Sequence, residues 1–185
     1  MAVETYEGVH TTCTAIAERI LEVGFLPSPA NRYVGAGVYF FDKAKKGIRN
    51  AKKYRKLHQK QHKCPEGDEG ALLCAEIACE EELILNLEEG EFAQPLRDKL
   101  EDFLTKWDED LAPLIQDEQA IKTEKNLLLN TVRIEYVKGL EIIFNKTYEM
   151  IKIEMPYMTG GYGSGFVVYR TDCIGQVSFC EGERT

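Results

Sequence analysis

The sequence predicts an α+β fold, one domain over residues 1–185 with a helical insertion. A chain of 185 residues has the length of one domain, and a hydrophobic content of 44% is enough for a core. Three short apolar segments have the composition of core strands: residues 38–41, 71–78 and 166–169. Between about residues 90 and 143, apolar side chains instead recur at spacings of three and four, which indicates amphipathic helices.

The N-terminal half is predicted to alternate strands and helices. Residues 5–9 form a short strand that reaches His10, and a threonine just beyond it caps the helix that follows. Gly24 is expected to end this helix, since glycine is common at that position. After the strand at 38–41, residues 44–62 are expected to form a second helix.

The C-terminal half is predicted to return from helix to strand. A second helix of the insertion covers about residues 118–140, and a strand follows at 148–155. Pro156 is expected to end that strand, and the glycine-rich residues 159–165 to form a flexible loop. The last strand is expected at 176–179.

The sequence pattern contains neither a membrane signal nor a metal motif. No apolar run reaches about 18 residues, and no basic region followed by an apolar stretch opens the chain. We therefore expect a cytoplasmic protein without a membrane partner. The six cysteines and three histidines form no zinc-binding spacing, so we expect no metal site and free, partly buried thiols.

A concentrated basic segment follows the strand at 38–41. Ten Lys and Arg residues lie between Lys43 and Lys63 without an intervening acid, although the net charge of the chain is −8. On a helix, four of them would share one side at spacings of three and four: Lys45, Arg49, Lys52 and Lys56. We interpret this side as a nucleic-acid contact. The alternatives are a solvated helix face or a surface that pairs with the acidic remainder of the chain.

Two glycines, Gly35 and Gly37, lead into the aromatic strand at 38–41. Glycine at such a position indicates a sharp turn or a ligand that lies against the backbone. Tyr39 would then present its ring to a flat ligand. The alternative interpretation is a buried strand with a glycine bulge.

Short motifs in a fixed order resemble the ADP-ribosyltransferase superfamily, in the branch of poly(ADP-ribose) polymerases and diphtheria-type toxins. The motifs are His10-Thr11-Thr12, Gly24-Phe25, Gly35 to Phe40, Leu72 to Ala78, and Phe166 to Tyr169. The resemblance covers residues 6–80 and 145–175 and gives the helical region no counterpart. It implies a split antiparallel sheet and a His-Tyr-Glu set of functional residues.

The resemblance implies that NAD is the co-substrate. His10 would bond a ribose hydroxyl of NAD, and Tyr39 would stack on the nicotinamide ring. The other NAD-binding positions that the resemblance implies are Thr11, Thr12, Gly37 and Tyr54. Of these, the backbone near Thr11 would hold the carboxamide, and Tyr54 would supply a second ring from the following helix.

Two positions depart from the family pattern. Thr11 stands where the family has glycine, and Gly165 stands where the family has its catalytic glutamate. Glu76 and Glu154 are candidates for the missing carboxylate because both lie on predicted core strands. The alternative is that each is an ordinary paired or solvated carboxylate.

These features together predict an NAD-dependent mono-ADP-ribosyltransferase, an enzyme of the glycosyltransferase class. The basic segment favours a nucleic acid acceptor, RNA before DNA. By analogy, a small domain of this kind fits a bacterial or phage-defence toxin held by an antitoxin protein. Two alternatives stay open: a catalytically inactive module that binds NAD-related ligands or nucleic acid, and an enzyme that modifies proteins.

Overall fold

The computed structural model describes residues 2–30, 33–61, 64–157 and 161–180. It contains a seven-stranded, mostly antiparallel sheet and four α-helices, in agreement with the predicted α+β class. Within these ranges, no helix is both long enough and apolar enough to pass through a membrane.

The strands form one sheet in the order β4-β5-β6-β2-β1-β3-β7. Their bounds are β1 Val3–Thr12, β2 Val38–Asp42, β3 Ala71–Glu80, β4 Ile84–Asn86, β5 Met150–Tyr157, β6 Gly161–Val168 and β7 Ile174–Phe179. Strands β4 and β5 run parallel, and the other neighbouring pairs are antiparallel. The two strands that carry the His10 and Tyr39 motifs, β1 and β2, are therefore neighbours inside the sheet.

The helices are α1 Thr14–Val23, α2 Gly47–Gln61, α3 Ala93–Lys106 and α4 Glu118–Phe144. Helix α1 ends at Gly24 as predicted, and the φ of 83° at this residue is a left-handed conformation that favours glycine. Cys13, not a threonine, stands at the N-cap of α1 and makes no side-chain capping bond there. Helix α4 is capped by Asp117, whose side chain accepts a hydrogen bond from the backbone N–H of Gln119.

Contacts divide the chain into two compact units. The first unit comprises residues 1–27, 37–88 and 148–185, and the second comprises residues 28–36 and 89–147. The first unit holds the sheet with α1 and α2, and the second holds α3 and α4. The second unit thus contains the helical region expected at 90–143 and also includes the segment before the aromatic strand.

The helical unit has its own internal contacts. The hydroxyl of Tyr136 donates a hydrogen bond to the carbonyl oxygen of Phe92 at 3.0 Å. The guanidinium of Arg133 lies 3.9 Å from the centre of the Tyr33 ring. Buried Trp107 lies in the turn that extends α3. These contacts join α3, α4 and the segment 28–36 within this unit.

In the sheet unit, the two faces of the sheet contact different helices. On one face, Ala17 of α1 joins a core of buried side chains that includes Phe40 and Phe166. On the other face, the ring of Tyr54 from α2 contacts the ring of Phe41, with centroids 5.8 Å apart. Because adjacent strand residues point to opposite faces, Phe40 and Phe41 mark two sides of β2. We call these sides the α1 face and the α2 face.

The glycine-rich segment at 159–165 was expected to be a loop, and this is wrong from Gly161 onward. Residues 158–160 lie outside the described part of the chain. Strand β6 begins at Gly161, which pairs with Tyr157, and the antiparallel pairing continues along β5. Pro156 does not end β5, because the strand reaches Tyr157. The many backbone pairs with β5 outweigh the weak strand preference of glycine.

Two disulfides contradict the expectation that all six cysteines are free thiols. Cys13 is bonded to Cys64, and Cys74 is bonded to Cys180. Cys79 and Cys173 are free and buried. The two cysteines are 51 residues apart in the first disulfide and 106 residues apart in the second. No short cysteine motif therefore predicts either pairing. Disulfides are typical of oxidising compartments.

Replacing Cys74 and Cys180 together with alanine should lower the free energy of unfolding by about 2–4 kcal/mol, because the cross-link restricts the unfolded chain. Urea unfolding measures this change. The matched control is Cys79→Ala, which removes a buried thiol but no cross-link. A thiol titration of the denatured, unreduced wild type should find two thiols per chain, and six would contradict the pairing.

Candidate functional site

The backbone ladder between β1 and β2 is short. It consists of two residue pairs: Gly8 with Asp42, and Val9 with Phe41. Farther along the two strands, a side chain makes the link: Nδ1 of His10 lies 2.9 Å from the carbonyl oxygen of Tyr39. The first two residues of the expected His-Tyr-Glu set are therefore joined directly.

The ring of His10 packs on the α1 face between two phenylalanines. Its centroid lies 5.1 Å from that of Phe25 and 5.8 Å from that of Phe40. A carbonyl oxygen only accepts hydrogen bonds, so Nδ1 donates and the neutral ring offers Nε2 as an acceptor. Burial lowers the pKa of His10, and the bond to the Tyr39 carbonyl opposes this more weakly. His10 is thus suited to accept a hydrogen bond from a ligand hydroxyl.

The α2 face brings together the other predicted NAD contacts. Val9 pairs with Phe41, so Thr11 and Tyr39, two residues farther along each strand, share the face of Phe41. Tyr54 reaches the same face through its contact with Phe41. The side chain of His10 lies on the opposite face, so the sheet backbone separates its ring from the rings of Tyr39 and Tyr54.

Within the part of the chain that the structure describes, the buried hydroxyl of Thr11 has no hydrogen-bond partner. Thr11 is 6% exposed, and its neighbour Thr12 is 3% exposed. A buried hydroxyl in this state costs free energy unless a bound molecule satisfies it. The residue that departs from the family pattern thus leaves an unused polar group on the face that carries Tyr39.

The two motif glycines have different roles from each other. Gly35 has a φ of 110°, a conformation that favours glycine, in agreement with a sharp turn. At Gly37, a Cβ atom would lie 2.6 Å from Cγ1 of Val167 and 3.1 Å from the carbonyl oxygen of Val168. Gly37 therefore allows the chain to approach β6, and the close contact assigned to NAD at this position is made by protein.

A buried carboxylate lies at the position where the motif glutamate is missing. Oε1 of Glu88 accepts a hydrogen bond from the backbone N–H of Gly165 at 3.2 Å and one from the hydroxyl of Ser164 at 2.5 Å. Oε2 pairs with Nζ of Lys45 at 2.9 Å. The side chain of Glu88 is 5% exposed, whereas that of Lys45 is 45% exposed. Glu88 thus holds a negative charge against the backbone of Gly165.

Of the two carboxylates predicted from the sequence, Glu154 lies near Gly165 and Glu76 does not. Glu154 is exposed and pairs across strands with Ser164, the residue that donates to Glu88. Glu76 is exposed on β3, and β1 and β2 lie between β3 and β6. The structure therefore places Glu154 beside Gly165 and does not bring Glu76 there.

The basic segment is divided between a turn and a helix. Lys45 was assigned to one helical side with Arg49, but α2 begins at Gly47, so Lys45 lies in the preceding turn and pairs with Glu88. Arg49 and Lys52 are exposed on α2, and so is Lys53 beside them. The side chain of Lys56 lies outside the described residues. The predicted cationic side is thus retained on the first turns of α2 and loses Lys45.

No motif in the sequence points to Glu88. It is 77 residues from Gly165, and it comes just after the short strand β4 in an acidic stretch. Only the order of the strands in the sheet, with β4 next to β5 and β5 next to β6, brings it to Gly165. A contact between residues this far apart in the sequence is visible only in the folded structure.

Acidification should destabilise the protein partly through His10. Its folded-state pKa lies below the unfolded value, so its contribution to stability is complete above about pH 6.5 and decreases as the pH falls. We expect His10→Gln to reduce the loss of unfolding free energy between about pH 7.5 and about pH 5.5. Denaturant unfolding at both pH values measures it. An unchanged pH dependence in His10→Gln would contradict the assignment.

Comparison with known proteins gave no match to a family model, to a curated protein or to a solved structure. The resemblance to ADP-ribosyltransferases therefore rests on the order of the motifs, and the site is interpreted from its own geometry.

Proposed function

We propose that this protein is an NAD-dependent mono-ADP-ribosyltransferase. The observation that carries the proposal is the position of Glu88. Its carboxylate accepts a hydrogen bond from the backbone of Gly165, at the point where the resemblance places a catalytic glutamate. The proposal includes the finer fold assignment, with the short ladder between β1 and β2 as the split in the sheet.

The residues around these strands fit NAD in two respects. The orphaned hydroxyl of Thr11 would bond the nicotinamide carboxamide, on the face where Tyr39 and Tyr54 offer their rings for stacking. Nε2 of His10, on the opposite face, would accept a hydrogen bond from a ribose hydroxyl beyond the point where the β1–β2 ladder stops at Val9 and Phe41. Thr11 and Thr12 are both buried, so ligand binding would require little loss of their side-chain freedom.

The proposed reaction breaks the bond between nicotinamide and C1′ of its ribose. Nicotinamide leaves with the bonding electrons, a nucleophile of the acceptor bonds to C1′, and the nucleophile loses its proton. The ribose passes through an oxocarbenium-like state, so a fixed negative charge lowers the barrier. Glu88 would supply this charge, and Glu154 is the second candidate because it pairs with Ser164.

The acceptor in this proposal is a nucleic acid, with RNA favoured over DNA. Arg49, Lys52 and Lys53 are exposed on α2, which follows the strand of Tyr39. Basic side chains on one exposed helix bind phosphates without regard to base sequence. A toxin-type effector with an antitoxin partner remains part of the proposal by analogy. The two disulfides fit an effector that is exported better than one that stays in the cytoplasm.

One observation favours the alternative of an inactive binding module. Lys45 pairs with Glu88 and neutralises the charge that catalysis would use. In that case the Lys45–Glu88 pair is a structural contact that joins the turn before α2 to the segment after β4. Modification of a protein, with the helical unit selecting the target, is the third possibility.

Glu88→Gln should reduce transfer of labelled ADP-ribose from NAD by roughly 100-fold or more and change NAD affinity far less, because the charge acts in the transition state. Incubation with labelled NAD and a cell lysate, followed by separate nuclease and protease treatment, measures transfer and identifies the acceptor. Glu76→Gln is the matched control and should transfer normally. Absence of any labelling by the wild type would favour the binding module.

Reversing the exposed charges of α2 with Arg49→Glu, Lys52→Glu and Lys53→Glu should abolish modification of nucleic acid and spare NAD hydrolysis. The matched control reverses three exposed cations on other helices: Arg19, Lys99 and Lys122. Wild-type activity on RNA should fall steeply between about 50 mM and about 200 mM salt, since phosphate contacts release counterions. A salt-independent reaction would point to a protein acceptor.

A further inference from the structure

A second cluster of reactive side chains lies at another place in the sheet unit. Cys79 near the end of β3, Cys173 in the turn before β7, and Glu149 just before β5 bring their sulfur and oxygen atoms within 4.8 Å of one another. Cys79 is 2% exposed, Cys173 6% and Glu149 9%. A similar group at Cys13, Cys64 and Asp68 is different in kind, because its two sulfurs are joined in a disulfide.

We propose that Cys79, Cys173 and Glu149 form a binding site for a zinc ion. Two thiolates and a carboxylate are ligands that Zn²⁺ accepts, and three protein ligands leave a fourth tetrahedral position for water. Two sulfurs at Zn–S distances of about 2.3 Å would be roughly 3.8 Å apart, within the spacing found here. Sγ of Cys173 already lies 3.4 Å from Oε2 of Glu149.

The surrounding charges fit a divalent ion. Two thiolates, one carboxylate and one Zn²⁺ sum to a net charge of −1. The guanidinium of Arg170 pairs with the other oxygen of Glu149 and balances this charge, and Asp172 on the same guanidinium leaves the whole group at −1. Arg170 also pairs with Asp172, which fixes the guanidinium in place. An outer partner of this kind orients a ligating carboxylate.

Without a metal, the cluster leaves two thiols and a carboxylate buried beside one another. Burial raises the pKa of Cys79, and burial with the neighbouring thiol and carboxylate raises that of Cys173. Both sulfurs therefore carry protons in the metal-free protein and would release them to the solvent when Zn²⁺ binds. The ion would join three segments that are far apart in the sequence: the end of β3, the start of β5 and the turn before β7.

Cobalt titration tests the site, because Co²⁺ occupies zinc sites and shows a sulfur-to-metal charge-transfer band when thiolates bind it. The full chain is unfolded in guanidinium chloride without reductant, which keeps both disulfides, and refolded with Co²⁺. Cys79 and Cys173 are the two cysteines outside disulfides, so thiolate coordination in this protein reports on them. We expect one Co²⁺ per chain, displacement by Zn²⁺, and a thermal unfolding midpoint that rises with Zn²⁺ concentration.

Variants identify the ligands. Cys79→Ser and Cys173→Ser should each abolish or strongly shift the band, and Glu149→Gln should weaken Co²⁺ binding at least tenfold, whereas the control Glu76→Gln should not change it. Absence of the band in the refolded wild type would overturn the proposal without any variant. So would a thiol count of zero in the unreduced wild type, because the two sulfurs would then form a third disulfide.

Discussion

Strand β1 is the element on which the rest of the sheet unit depends, because its two edges are paired unequally. Toward β3 it pairs along all ten residues, whereas toward β2 its backbone ladder has two residue pairs. The long ladder fixes the register and therefore the faces of His10 and Thr11. Beyond the Val9–Phe41 end of the short ladder, the imidazole of His10 bonds the carbonyl oxygen of Tyr39. A polar side chain thus takes over a link that backbone groups make elsewhere in the sheet.

Polar groups in the interior of the sheet unit lie at separate places. His10 and Thr11 lie next to each other in the sequence but reach opposite faces, and each is enclosed by a different set of neighbours. Around His10 these are the rings of Phe25 and Phe40. Glu88 lies at a third place, where its carboxylate accepts a hydrogen bond from the backbone N–H of Gly165. Each polar group is therefore held by its own local constraint.

Strand and helix composition was sufficient to predict the class of fold and most of the elements. The apolar run at 38–41 lies in β2, and the run at 166–169 covers the end of β6. Helix α1 ends at Gly24 as expected. The glycine-rich segment was misjudged because its strand conformation comes from pairing with β5, a contact that local composition does not encode.

The candidate site was only partly accessible from the sequence. His10 and Tyr39 lie on adjacent strands that local motifs could identify, and the structure joins them. Glu88 and the disulfides depend on contacts between residues more than 50 positions apart, and one sequence contains no record of such contacts. Lys45 was misplaced for a smaller reason: Asp42 accepts a hydrogen bond from the backbone N–H of Ala44 and delays the start of α2.

The disulfide between Cys13 and Cys64 has a consequence for the basic helix α2. It attaches the segment just after α2 to the start of α1, and Asp68 strengthens the attachment with hydrogen bonds to the backbone and hydroxyl of Thr14. The cationic helix is therefore anchored at both of its ends: by the turn at Asp42 at its beginning and by a covalent tether beyond its end. Reducing agents would break the covalent tether and leave the hydrogen bonds of Asp68, so the attachment of the cationic helix is weaker under reducing conditions.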